Sequence, residues 1–182
     1  MNKRDFFQTV EARRSVRAFQ PKPIEAAQLE AILAAANRAP SAGNLQAYEI
    51  GIVRDAATLG ALARTCFNQT FLAQAAVALV FCADPARSAA KYGAKGETLY
   101  SLQDATIATA YAELAVAALG LGACWVGAFD EETIRRLLGL RAGLRPVAIL
   151  AIGWPAEQPP RTSRRDLADL TREYAATGHT SR

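Results

Sequence analysis

Two hydrophobic periods alternate along the chain. Some stretches repeat apolar residues every three or four positions, as amphipathic helices do, and others run unbroken for the length of a buried strand. "DFFQTVEA" sets Phe6, Phe7 and Val10 on one helical face, with Asp5 suited to the N-cap. Pro21 and Pro23 interrupt the chain, and "IEAAQLEAILAAANRA" then carries Leu29, Ile32, Leu33 and Ala36 at helical steps until Pro40 stops it. A loop follows, "PSAGNLQA". "YEIGIVRD" (48–55) reads as a strand, "AATLGALARTC" as a helix, and "AAVALVFCAD" (75–84) as a strand buried on both faces. The polar segment 85–103 has weak periodicity and is expected to be exposed and mobile, a candidate lid. From Asp104 an Ala-rich helix runs to Gly120 and Gly122, with Ile107, Tyr111, Leu114, Ala115 and Ala118 as its stripe. Because this helix is apolar all round, it is either central to the fold or packed on another subunit. "ACWVGAF" reads as strand or loop, "DEETIRRLLGL" as a capped helix, and "RPVAILAIGWP" (145–155) as the last strand. A proline-bearing tail leads to a short helix at 166–176.

Composition narrows the class. With 182 residues, 51% hydrophobic and 21% charged, the chain reads as one globular domain spanning 1–182. No run reaches the eighteen apolar residues of a membrane span, and "MNKRDFFQTV" lacks the apolar region of a signal peptide, so a soluble cytoplasmic protein is expected. Cys66, Cys82 and Cys124 are an odd number, widely spaced and in apolar surroundings, which predicts buried free thiols in place of disulfides or a metal site. A net charge of +4 with 8% aromatics and no basic helix face argues against nucleic acid.

The chemistry-bearing residues are few. The single histidine, His179, lies near the C-terminus, so the usual general base and the Ser-His and Cys-His schemes are missing. Metal-ligand spacing and a phosphate loop are also absent, and "GLGACWVG" follows a helix where a dinucleotide fingerprint follows a strand. An enzyme built this way borrows its chemistry from an organic cofactor. Arginines concentrate in "RRSVR" (13–17) and "RTSRR" (161–165), and guanidinium forks with a serine hydroxyl match a phosphate monoester. A solvated basic turn after a helix is the plainer alternative.

"RRSVRAF", "APSAGNLQAYEI", "LGLGACWVGAFDE" and "PVAILAIGWP" resemble, in order and spacing, the motifs of the flavin-dependent nitroreductase family. That resemblance implies an α+β fold of three layers, a mainly antiparallel sheet between helices. It also implies a homodimer joined through the helix at 104–120, with two FMN molecules at the interface. It places Arg13 and Ser15, with Arg14 beside them, toward the FMN phosphate and ribityl chain, and Arg17 toward the flavin pyrimidine. Ser41, Asn44 and Gln46 would reach the flavin from the partner subunit. Asn68 would hydrogen-bond the ring, with Gln69 as a second candidate, and the N–H groups of Gly127 and Ala128 would face N5 and O4. One of Arg164 and Arg165 would close over the phosphate. The sequence departs from the family at Ala47, where many relatives carry proline, and at Gly127, where some carry glutamate.

The activity so implied is a ping-pong relay in which NADH or NADPH reduces the flavin and a nitroaromatic, quinone or similar small acceptor reoxidises it. A specialised relative, such as a SagB-type azoline dehydrogenase, and a non-catalytic flavin- or anion-binding module are the alternatives.

Overall fold

The computed structural model describes residues 5–174. His179 and the last two positions of the expected helix 166–176 lie outside them. Four strands, β1 (Tyr48–Val53), β2 (Val77–Ala83), β3 (Gly122–Val126) and β4 (Arg145–Gly153), form one sheet in the order β1-β2-β4-β3. Every neighbouring pair is antiparallel.

The strand period decides the layers. In β2, Val77, Leu79 and Phe81 face one core together with Leu150 and Ile152 of β4. Ala78, Val80 and Cys82 face the other, with Ile149 and Ala151. The first core is closed by α2 (Ala26–Asn37) and α5 (Ser101–Ala118), and the second by α3 (Ala56–Thr65) and α6 (Glu131–Leu138). A strand buried on both faces therefore carries apolar residues without alternation, which is why "AAVALVFCAD" is an unbroken run. Each large side chain removed from water here contributes about 1.5 to 3 kcal/mol. The result is the α+β three-layer arrangement expected. Among the described residues no helix is long and apolar enough to cross a membrane.

The helices begin where side chains cap them. Asp5 caps α1 (Phe6–Ala12), Asp55 caps α3 and Asp130 caps α6, each carboxylate accepting the N–H three residues on, and Gly139 ends α6 in the left-handed conformation. The short α7 spans Leu167–Leu170. All three cysteines are buried and free. Burial pushes the Cys66 thiol up to about 11 and, with Glu49 nearby, the Cys82 thiol up to about 12.

Two expectations need correction. Segment 85–103 is mostly exposed, as expected, but it is helical and not irregular: α4 (Pro85–Lys95) passes through a π-helical turn, Gly96–Tyr100, directly into α5. Gly93 breaks the pattern with φ 55° and ψ −144°, a conformation open essentially to glycine, so two short helical pieces dilute each other's periodicity. The second correction concerns α5. Its core face is made of Ala105, Ala108, Ala112 and Val116, whereas Tyr111 is 40% exposed and Ile107, Leu114 and Ala118 are only half-buried. Small residues let the helix backbone approach the sheet closely, which leaves the bulkier residues outside.

Candidate functional site

The arginine-rich segment is seated by two glycines. Gly122 of β3 pairs with Gly153 of β4, and a Cβ on either would come within 2.9 Å of Val16 Cγ1 or Phe19 Cδ1 respectively. Val16 and Phe19 fill the two notches, each 6% exposed. Val16 N donates to the Ala123 carbonyl (2.8 Å) and Gln20 N to that of Trp154 (2.9 Å), which pins the segment to the sheet. Alternation then turns Ser15 and Arg17 away from Val16, into a cleft of about 790 Å³.

Arg13, Arg14, Arg17, Arg161 and Arg164 line that cleft with Ser15, against one carboxylate, Glu11. The Arg13 guanidinium lies 3.3 Å from Glu113 on α5. Burial pushes the Glu113 carboxyl up, and Arg13 opposes that shift. Arg14 Nη1 donates to the carbonyls of Glu11 (2.6 Å) and Arg13 (2.7 Å). Arg17 donates its backbone N–H to Glu157 Oε1 (2.5 Å), and its guanidinium stands beside Cys124, opposing the rise that burial imposes on that thiol. Arg161 pairs with Glu11, and Arg164 Nη1 donates to Thr162 Oγ1 at 2.7 Å. Arg165 turns instead to the Asp169 carbonyl (3.1 Å) and does not line the cleft. Several guanidiniums and a hydroxyl around one concavity suit a dianionic phosphate monoester.

The loop carrying Ser41, Asn44 and Gln46 is a separate structure. Gln46 Nε2 donates to Ser41 Oγ (3.2 Å), to Asn44 Oδ1 (2.7 Å) and to the Asn44 carbonyl, and Gln46 N donates to Ser41 Oγ (3.0 Å). Gly43, Asn44 and Gln46 are left-handed, with φ of 57°, 57° and 43°. Asp104, in the first turn of α5, accepts from Ala42 N (2.9 Å) and Ala47 N (3.2 Å). The N–H that a proline would lack is therefore in use at Ala47.

A third group lies past the end of β3. Asn68 is exposed and left-handed (φ 59°), and Gln69 Nε2 bridges the carbonyls of Cys66 (3.1 Å) and Ala128 (3.2 Å). Gly127 and Ala128 are exposed. A Cβ on Gly127 would meet only Trp125 Nε1, at 3.9 Å, so glycine is not required there by space.

The sequence profile of the Nitroreductase family matches residues 10–70 and 54–154, spanning both the arginine segment and the loop 41–47. The chain belongs to the nitroreductase family. Among its relatives, a Thermus thermophilus protein named NADH dehydrogenase is 34% identical over 173 residues, covering 80% of this chain and 84% of that one. The oxygen-insensitive NADPH nitroreductase of Salmonella typhimurium is 35% identical over 153 residues, covering 80% of this chain and 64% of that longer protein. Among solved structures, the NADPH:FMN oxidoreductase of Vibrio harveyi complexed with NAD+ superposes with a TM-score of 0.86 at 28% identity, over 95% of this chain and 78% of that one.

In this member of the family, Arg13, Arg14, Ser15, Arg17 and Arg164 share one cleft, while Ser41, Asn44 and Gln46 line neither it nor the neighbouring cleft against α5. Sequence reasoning missed Arg161, Glu113 and Asp104. Arg161 stood in the quoted cluster. The two acids carried a usable signal, since a carboxylate on an otherwise apolar helix must find a partner when buried.

Proposed function

We propose that this nitroreductase is an FMN-dependent oxidoreductase that draws electrons from NADH or NADPH, acting as a homodimer with the whole chain as one domain. The observation that carries the reading is the cleft of five arginines around Ser15, whose donors fit the phosphate of FMN. Bound FMN would supply hydride acceptance at N5 and electron release to nitroaromatics, quinones or similar acceptors, a ping-pong relay that needs no acid or base from the protein.

The residues then hold and orient. Arg13, Arg14, Ser15 and Arg164 bind the phosphate and ribityl end, and Arg17 brings positive charge to the flavin pyrimidine. Ser41, Asn44 and Gln46 reach the ring from the partner subunit, and Asn68 with the N–H groups of Gly127 and Ala128 serve its polar edge.

Two features support the dimer. Asp104 holds the loop 41–47 and Glu113 holds Arg13, nine positions apart on α5. Ideal helix geometry puts them on opposite sides of the axis and about 13 Å apart along it, so one chain separates the two groups that one flavin needs together. The surface also exposes apolar residues suited to a second copy: Phe6 and Phe7 on α1 at 64% and 77%, and the outer face of α5. Leu114→Asp should therefore yield colourless monomers by light scattering. Monomers retaining full FMN would contradict the shared site.

The purified protein should be yellow, releasing FMN on denaturation, and NADH or NADPH should bleach the visible band anaerobically. A colourless protein that refuses added FMN yet binds inorganic phosphate would make it an anion-binding module, and a flavoprotein that neither nucleotide bleaches would not be this enzyme.

A further inference from the structure

We propose that Asp104 is a positioning residue, whose carboxylate holds Ser41, Asn44 and Gln46 in the arrangement with which they meet the flavin. The proposal rests on the function inferred above. Asp104 is 2% exposed and takes part in no ion pair among the described residues. A carboxylate so buried is tolerated only when hydrogen bonds replace its water. It finds them at both ends of one short span: Oδ1 accepts from Ala42 N at 2.9 Å and Oδ2 from Ala47 N at 3.2 Å. One rigid side chain on α5 thus ties the start of the loop to its end.

What lies between those ties is strained. Asn44 and Gln46 hold positive φ without being glycine, a conformation that costs free energy unless neighbours impose it. Their side chains are also bound to each other and to Ser41, so the three move as one unit, and whatever fixes the backbone aims all three. The loop is also touched by α4, where Arg87 Nε donates to the Leu45 carbonyl at 2.5 Å and the Tyr92 hydroxyl and Lys91 ammonium sit over Gly43. Those partners hang on an exposed helix, whereas Asp104 is fixed in the core. Release of the carboxylate would leave the loop free to relax toward right-handed backbone and carry the three side chains off the flavin.

Asp104→Asn tests this, because the carboxamide keeps one acceptor and turns an NH2 group against the other N–H. Two quantities are read: hydrogen exchange of the Ala42 and Ala47 amides in the flavin-free protein, and FMN affinity by fluorescence titration at a temperature well below unfolding. Protection of both amides in the wild type, lost at one or both in the variant, with FMN affinity lowered about tenfold or more, is the expected result. A lowered Tm with unchanged FMN affinity would reduce Asp104 to a structural role and overturn the proposal. Unprotected Ala42 and Ala47 amides in the wild type would overturn it without any variant, even if Asp104→Asn fails to fold. Failure of the wild type to bind FMN would instead remove the functional reading, and this proposal with it.

Discussion

Gly122→Val should detach the arginine segment from the sheet and lower FMN affinity by roughly 5- to 150-fold, the equivalent of about 1 to 3 kcal/mol of overpacking. The added side chain has no room: its Cβ alone would lie 2.9 to 3.1 Å from three atoms of Val16. A branched residue on β3 cannot shrink from that contact, so Val16 must leave its notch. Val16 is fixed to the strand through the Ala123 carbonyl, and Arg13, Arg14, Ser15 and Arg17 flank it on the same few residues. The cleft is then intact only in the fraction of molecules that tolerate the clash, and apparent affinity falls by that fraction. Gly122→Ala with Val16→Ala removes the contacts with the two γ-carbons of Val16 but keeps the 3.0 Å approach to its β-carbon, so it should recover only part of the loss. Titration of FMN into the three proteins decides it, and a Gly122→Val protein with wild-type affinity would show that the notch does not position the arginines.

The second large effect separates holding the flavin from tuning it. Arg17→Ala should make the bound flavin harder to reduce by roughly 30 to 60 mV, one charge-assisted hydrogen bond converted for a two-electron couple. The sign follows from charge. Reduction adds negative charge to the flavin pyrimidine, and a guanidinium aimed there stabilises the reduced form more than the oxidised one. Arg13→Ala should leave the potential near its wild-type value and cut FMN retention, because a phosphate carries the same charge in both redox states. The structure adds a condition to that comparison, since removal of Arg13 also strands Glu113, whose carboxyl burial already pushes up. Arg13→Ala combined with Glu113→Gln removes the stranded acid and isolates the phosphate contact. Spectroelectrochemical titration at full occupancy reads the potential, and an Arg17→Ala protein unchanged in potential would remove the tuning role.

Much of the fold was legible because it depends on local periods. β2 and β4 are buried on both faces, so their sequences are unbroken apolar runs of strand length, and the caps Asp5 and Asp130 mark their helices within a residue. Legibility ended where one face competes with another. The apolar residues of α5 surround the helix, and sequence cannot show that the alanines take the core while Tyr111 and Leu114 are left outside. It ended again at Gly93, where a single glycine conformation interrupts a helix and makes 85–103 read as irregular. The candidate site divides similarly. Charge density alone singled out the arginines, but choosing Arg164 over Arg165 depends on how an extended tail is draped, a tertiary property. Asp104 and Glu113 escaped notice because their partners are a backbone span and an arginine distant in the chain.

The span between those two acids also bears on how this chain can change in length. Each residue of α5 advances about 1.5 Å and turns about 100°, so a single insertion or deletion between 104 and 113 would swing one carboxylate away from its partner while the other stayed in place. Surface loops absorb added residues at little cost, and even most substitutions on α5 leave both carboxylates where they are. The residue count of this one stretch is therefore held closely, although none of the residues between the two acids need touch a ligand.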